Sequence, residues 1–201
     1  MKVSIVDYGA GNLPSVERAL QFLGAETERA TRPEQLASSK AIVLPGVGHF
    51  AAFVGGLKEK NVIPALRKAF EAGVPILGIC LGLQAMFASS EEAPGEQGLG
   101  FFPQTIRALP KTVKSPHIGW NQVNCTKPSK LLQGIPKDAY FYFAHSFAAP
   151  GDGNETVAVC NHGVPFATVI EQGNLLGVQF HPEKSGEVGS RILRNFLEAA
   201  Q

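Results

Sequence analysis

Cysteine is scarce in this sequence: Cys80, Cys125 and Cys160 are its only three, and no two of them form a C-x-x-C pair. So sparse a set excludes a disulfide framework and a cysteine-ligated zinc cluster, and it points to a reducing compartment. Charge is scarce as well, at 17% of residues, with eighteen basic against seventeen acidic side chains and a formal net charge of +1. No field of one sign is left to attract nucleic acid or an anionic membrane, so partners must be argued from sites. Nor is there a run of the ~18 apolar residues that a membrane-spanning helix needs. The first residues read as a strand, Val3-Ser4-Ile5-Val6, and not as a charged leader with an apolar stretch behind it. A cytoplasmic location is expected.

What is present is core material. Hydrophobic residues make up 44% of the 201, enough for a globular domain, and the length leaves little room for a second one. The first half alternates short apolar or β-branched runs with helical patterns, separated by Gly, Pro or Asn, as parallel β-α-β units require. Strands are expected at 2–8, near 25–30 and at 41–44, the last ending at Pro45-Gly46. Helices are expected at 14–23, stopping at Gly24, and across 61–72, closing at Gly73. A further strand, Pro75 to Cys80, runs directly into a helix expected from Leu81 to Ala88. From about 104 the pattern shifts to shorter strands with close turns at 138–147, 156–161, 164–171 and 175–181, and a last helix covers 187–200. The expected fold is a three-layer α/β open sheet, mostly parallel with an attached antiparallel part and helices on both faces.

The strand-to-helix junction carries the chemistry. Gly78-Ile79-Cys80-Leu81-Gly82 has the G-x-nucleophile-x-G form of an elbow, in which flanking glycines permit a tight, strained turn that holds the nucleophile out. A helix N-terminus favours a thiolate there. Cys125 and Cys160 sit in ordinary strand settings and read as structural. The best-placed base is His181 at the end of a strand, in Gly177-Val178-Gln179-Phe180-His181-Pro182-Glu183. Residues two apart in extended chain point the same way, so Glu183 can hold one imidazole nitrogen while the other faces the sulfur, which is triad logic. His117, His145 and His162 compete, but none has a carboxylate two residues on.

Acyl transfer also needs donors for an oxyanion. The backbone N–H of Leu81 and the loop Gly46-Val47-Gly48 are the candidates. That loop lacks the Gly-Lys-Ser/Thr of a nucleotide site, and Gly9-Ala10-Gly11-Asn12 lacks the third glycine of a dinucleotide fingerprint. No cofactor and no metal are expected.

Taken together, GICLGLQ at 78–84, LPGVGHF at 44–50 and GVQFHPEKS at 177–185 resemble the class I, triad-type glutamine amidotransferases, along the whole chain. DYGAGNLPSVERAL at 7–20, PHIGWN at 116–121 and FYFAHSF at 141–147 are similar to the glutaminase subunits of imidazole glycerol phosphate synthases. The resemblance implies that Gln84 and Glu92 grip the α-amino and carboxylate end of L-glutamine, with Ser146 on the other side. Ala144 and Phe147 depart from the branched residue and tyrosine more usual in the family, which bears on fine substrate geometry. The resemblance further implies that Cys80 forms a glutamyl thioester and that the ammonia passes to a (β/α)8-barrel cyclase subunit as a heterodimer in histidine biosynthesis. A partner is expected on chemical grounds too, because free ammonia in neutral water becomes ammonium. Trp120 and Asn121 are placed at that interface, since aromatics anchor interfaces, and Asn12 is a candidate for coupling acceptor binding to the oxyanion loop. Another class I glutaminase subunit and a stand-alone cysteine γ-glutamyl hydrolase remain the alternative readings.

Overall fold

Continuous apolar runs become the central strands. In the computed structural model, which describes residues 1–200, β1 (Lys2–Val6), β2 (Glu26–Ala30), β3 (Ala41–Gly46) and β4 (Ile76–Cys80) lie parallel. Every residue of β3 and β4 is buried, as expected of strands covered on both faces. The helices come from amphipathic stretches: α1 (Leu13–Phe22), the short α2 (Glu34–Ala37), α3 (Phe50–Glu59), α4 (Ile63–Glu71) and the single turn α5 (Leu81–Gln84).

The second half adds β5 (Phe87–Ser90), β6 (Phe102–Ala108), β7 (His117–Gln122), β8 (Asn124–Cys125), β9 (Tyr140–His145) and β10 (Phe147–Ala148). After them come β11 (Thr156–His162), β12 (Val164–Gln172), β13 (Leu175–Val178) and α6 (Gly186–Ala199). The main sheet has eight strands in the order β2-β1-β3-β4-β13-β12-β11-β8. It is parallel through β13 and antiparallel beyond, so the expected fold is the observed one. Two cores cover its faces, one holding Leu13, Val16, Leu20, Ile192 and Phe196, the other Phe50, Phe53, Leu57 and Leu66. No helix among the described residues is long and apolar enough to cross a membrane.

Several expected bounds need correction: the strand expected at 2–8 ends at Val6, and the one expected at 175–181 ends at Val178. The helix expected over 81–88 stops at Gln84, and 87–90 is strand. The carbonyls of Ala85, Met86, Phe87 and Ala88 accept hydrogen bonds from the N–H groups of residues 98–102, which pairs this stretch with the segment before β6 in place of a further helical turn. The strand expected over 138–147 breaks at Ser146, whose carbonyl accepts from Leu109 N at 2.9 Å. Pairing in β3 does not stop at Pro45 but runs through Gly46, which lies opposite Cys80.

Candidate active site

The elbow is real in its backbone. Cys80 has φ +53° and ψ −108°, a conformation unfavourable for a residue with a side chain, and it ends β4 at the start of α5. Glycines make the turn possible: a Cβ on Gly78 would lie 2.7 Å from the Leu83 backbone, and one on Gly82 would strike the Leu44 carbonyl. The other thiols differ. Cys160 is buried, and that burial pushes its thiol up to about 11, so it stays protonated and inert. Cys125 is exposed.

Chain pairing brings the base to the sulfur. β13 lies beside β4 with Val178 opposite Ile79, and the His181 N–H donates to Tyr142 O in β9 at 2.8 Å. Pro182–Lys184 form a 3₁₀ turn, which curls Glu183 back under the ring. The two side chains therefore meet through a tight turn and not through strand alternation. His181 Nδ1 lies 2.9 Å from Glu183 Oε1, leaving the other nitrogen for its hydrogen bond with Cys80. Burial opposes charge on His181, but the hydrogen bonds to Cys80 and Glu183 and their negative charges outweigh it and raise the imidazole to about 10. Asn12 Nδ2 donates to the same Glu183 oxygen at 3.5 Å, which ties the N-terminus of α1 to the triad.

A cavity of about 170 Å³ opens on the sulfur, lined among others by Val47, Gly48, Leu81, Gln84, Glu92, Ser146 and His181. Every expected triad and glutamine-binding residue is thus in one place. Gln84 is not on a solvated helix face: its amide is buried and donates to Phe147 O at 2.7 Å and Gln179 Oε1 at 3.1 Å. Glu92 Oε2 accepts from Phe50 N at 2.7 Å, at the first turn of α3. The oxyanion set needs correction on two points. Gly46 does not line the cavity; its Cβ position lies 2.7 Å from Gly82 N, so it serves the close packing of β3 on the elbow. The Val47 N–H is occupied, donating to the Tyr8 hydroxyl at 3.1 Å. Leu81 and Gly48 remain at the cavity.

Of the competing histidines, His145 also lines the cavity, but it is bonded to His117 and not to a carboxylate. His117 stacks flat against His162, ring centroids 4.2 Å apart, and bonds His145, without a carboxylate partner. Trp120 is 55% exposed on the outer face of β7, whereas Asn121 turns inward to His117. Sequence reasoning missed Tyr8 and Gln179, both inside motifs already noticed but with no chemistry of their own to flag them. A larger cleft of about 570 Å³ beside β6, β11 and β12 is lined by no cysteine and no histidine.

The sequence matches the family Glutamine amidotransferase class-I over residues 4–200, and the chain belongs to that family. Among its relatives, the imidazole glycerol phosphate synthase subunit HisH of Moorella thermoacetica is 44% identical, covering 98% of this chain and 94% of the relative. The subunit of the same name from Desulfitobacterium hafniense (strain Y51) is 44% identical over 96% of this chain and 92% of its own. Among solved structures, a glutamine amidotransferase superimposes with a TM-score of 0.79 at 21% identity, covering 98% of each chain. PurLQS from Thermotoga maritima gives 0.78 at 20%, covering 100% of this chain and 99% of that one. At such identities they speak for the fold.

Proposed function

We propose that this single-domain chain is the cytoplasmic glutaminase subunit of an imidazole glycerol phosphate synthase. The observation that carries the reading is the assembly of Cys80, His181 and Glu183 at a strained elbow, with a glutamine-sized cavity on the sulfur. The Cys80 thiolate attacks the side-chain amide carbon of L-glutamine, and the oxyanion is held by the backbone N–H groups of Leu81 and Gly48. His181 holds a proton at neutral pH and gives it to the departing nitrogen, so the C–N bond breaks and ammonia leaves a glutamyl thioester. Water, deprotonated by His181, then attacks the thioester; the C–S bond breaks and glutamate is released. Gln84 and Glu92 hold the amino-acid end, with Ser146 opposite. For Val47 to serve the oxyanion, its N–H must first leave Tyr8.

The ammonia passes to a (β/α)8-barrel cyclase subunit that makes imidazole glycerol phosphate and aminoimidazole carboxamide ribotide. Its seat is the outer face of the β7–β9 ribbon, where Ile118, Trp120 and Tyr140 are 61%, 55% and 53% exposed. Ala144, on the same face, borders the catalytic cavity, so a partner docked there covers the site. Glutamine hydrolysis measured alone and with a cyclase subunit plus its ribotide substrate tests the proposal. Co-elution and a faster rate in the mixture are expected. Equal rates without association leave a stand-alone hydrolase instead.

A further inference from the structure

The inner face of the β7–β9 ribbon is unused by this mechanism. Strand alternation turns His117 and Asn121 inward beneath the exposed Ile118 and Trp120, and it buries His145 of β9 directly opposite His117. Among the described residues no three metal-ligating side chains converge.

Their hydrogen bonds form one chain whose direction is fixed by chemistry. The Phe147 carbonyl can only accept, so His145, with Nδ1 3.0 Å away, carries its proton on that nitrogen. Burial, then the neighbouring imidazole of His117, pushes His145 down to about 3, so it is neutral and its Nε2 accepts. The donor to that Nε2 is His117 Nδ1 at 3.1 Å. His117 is held down at about 4, first by burial, which leaves its Nε2 to accept from Asn121 Nδ2 at 3.3 Å. From the other side, Gln84 Nε2 donates to the same Phe147 carbonyl and to Gln179 Oε1. That fixes the Gln179 amide with its Nε2 towards Cys80 Sγ, 3.6 Å away.

We propose that His117 and His145 are positioning residues for the reaction: with Asn121 they fix the Phe147 carbonyl, and through it the Gln84 amide at the substrate cavity and the Gln179 donor on the Cys80 sulfur. The chain begins under the face on which a partner sits and ends on the nucleophile. The inference rests on the glutaminase reading of Cys80. A polar cluster that only fills the core would support the fold without setting how glutamine is gripped.

Two measurements test it. Nitrogen NMR of the histidine side chains is expected to find His117 and His145 both protonated at Nδ1 and bare at Nε2. An Nε2–H ring at either position overturns the chain, whatever the protein's activity. In glutamine hydrolysis by the complex with the cyclase subunit, His145→Phe is expected to raise KM about 10-fold with kcat changed less than about 3-fold, the loss of one buried hydrogen bond at the binding site. His145→Asn, whose amide N–H can replace Nδ1–H, is expected to restore KM to within about 2-fold of wild type. His117→Phe removes a link further out and is expected to raise KM about 3-fold, so the inference stays testable if His145→Phe does not fold. If KM and kcat of both His145→Phe and His117→Phe stay within about 2-fold of wild type, the histidines only fill the core and the inference is overturned. If the wild-type complex itself shows no glutaminase activity, the glutaminase reading fails, and the NMR result still judges the hydrogen-bond chain.

Discussion

The Tyr8 hydroxyl accepts from the Val47 N–H at 3.1 Å and donates to the Val47 carbonyl at 2.8 Å, so one phenol holds both polar groups of a residue at the lip of the catalytic cavity. A loop that should offer its N–H to an oxyanion is engaged in the opposite sense. Tyr8→Phe removes this hold. Partner-free glutamine turnover of the variant is expected to rise by about 3- to 10-fold, since one hydrogen bond is worth about 1 kcal/mol. Steady-state assay of the isolated chain decides it, and a rate at or below wild type would show that Tyr8 does not restrain the loop.

Replacing Cys80 with Ala should abolish glutamine-dependent activity and leave the fold intact, as read by circular dichroism. Glu183→Gln keeps the size of the side chain but removes the charge behind His181 Nδ1. Its kcat should fall by about 10²-fold or more, with a smaller effect on KM, because the base is then neither oriented nor charge-stabilised.

Gly82→Ala tests the elbow. The added Cβ would meet the Leu44 carbonyl of β3, a backbone atom that cannot turn away. A loss of about 3 kcal/mol or more in urea unfolding is expected. Gly73→Ala supplies a contrast: its φ is +78° but nothing lies within 4 Å, so only backbone strain of about 1 kcal/mol applies.

Acid should weaken the protein through its buried imidazoles. His117 and His145 fall from 6.5 to about 4 and about 3 on folding, so the unfolded chain binds more protons below pH 6.5. Their contribution is complete above 6.5 and is lost as pH falls towards those folded values. His181 runs the other way, being raised to about 10; its contribution is full below 6.5 and is lost as pH rises through 10. Between pH 7 and pH 5 the unfolding free energy should drop by about 2 kcal/mol or more, and less in His145→Asn. Urea titrations at the two pH values measure it.

The meeting of Cys80, His181 and Glu183 was legible because its parts announce themselves locally: glycines on either side of Cys80, and a histidine two residues before a carboxylate near a strand end. The layering was legible for the same reason, since the wholly apolar runs at 41–44 and 75–80 admit few other arrangements. What sequence could not convey was where polar atoms find partners across the fold. The end of α5 at Gln84 depends on amides from residues 98–102, and the state of the Val47 N–H on a tyrosine 39 positions away. Asn121 was assigned to an interface with its neighbour Trp120, yet adjacent residues on a strand face opposite ways, and only the register with β9 says which way is out.

Because β13 slots between β4 and β12, the strand that delivers the imidazole is also the one that seals the middle of the sheet. A growing polypeptide that has emerged only as far as β12 therefore has an unfilled gap beside its nucleophile and no proton donor for it. The site is complete only once the segment that follows β12 has been made and has paired between its two neighbours.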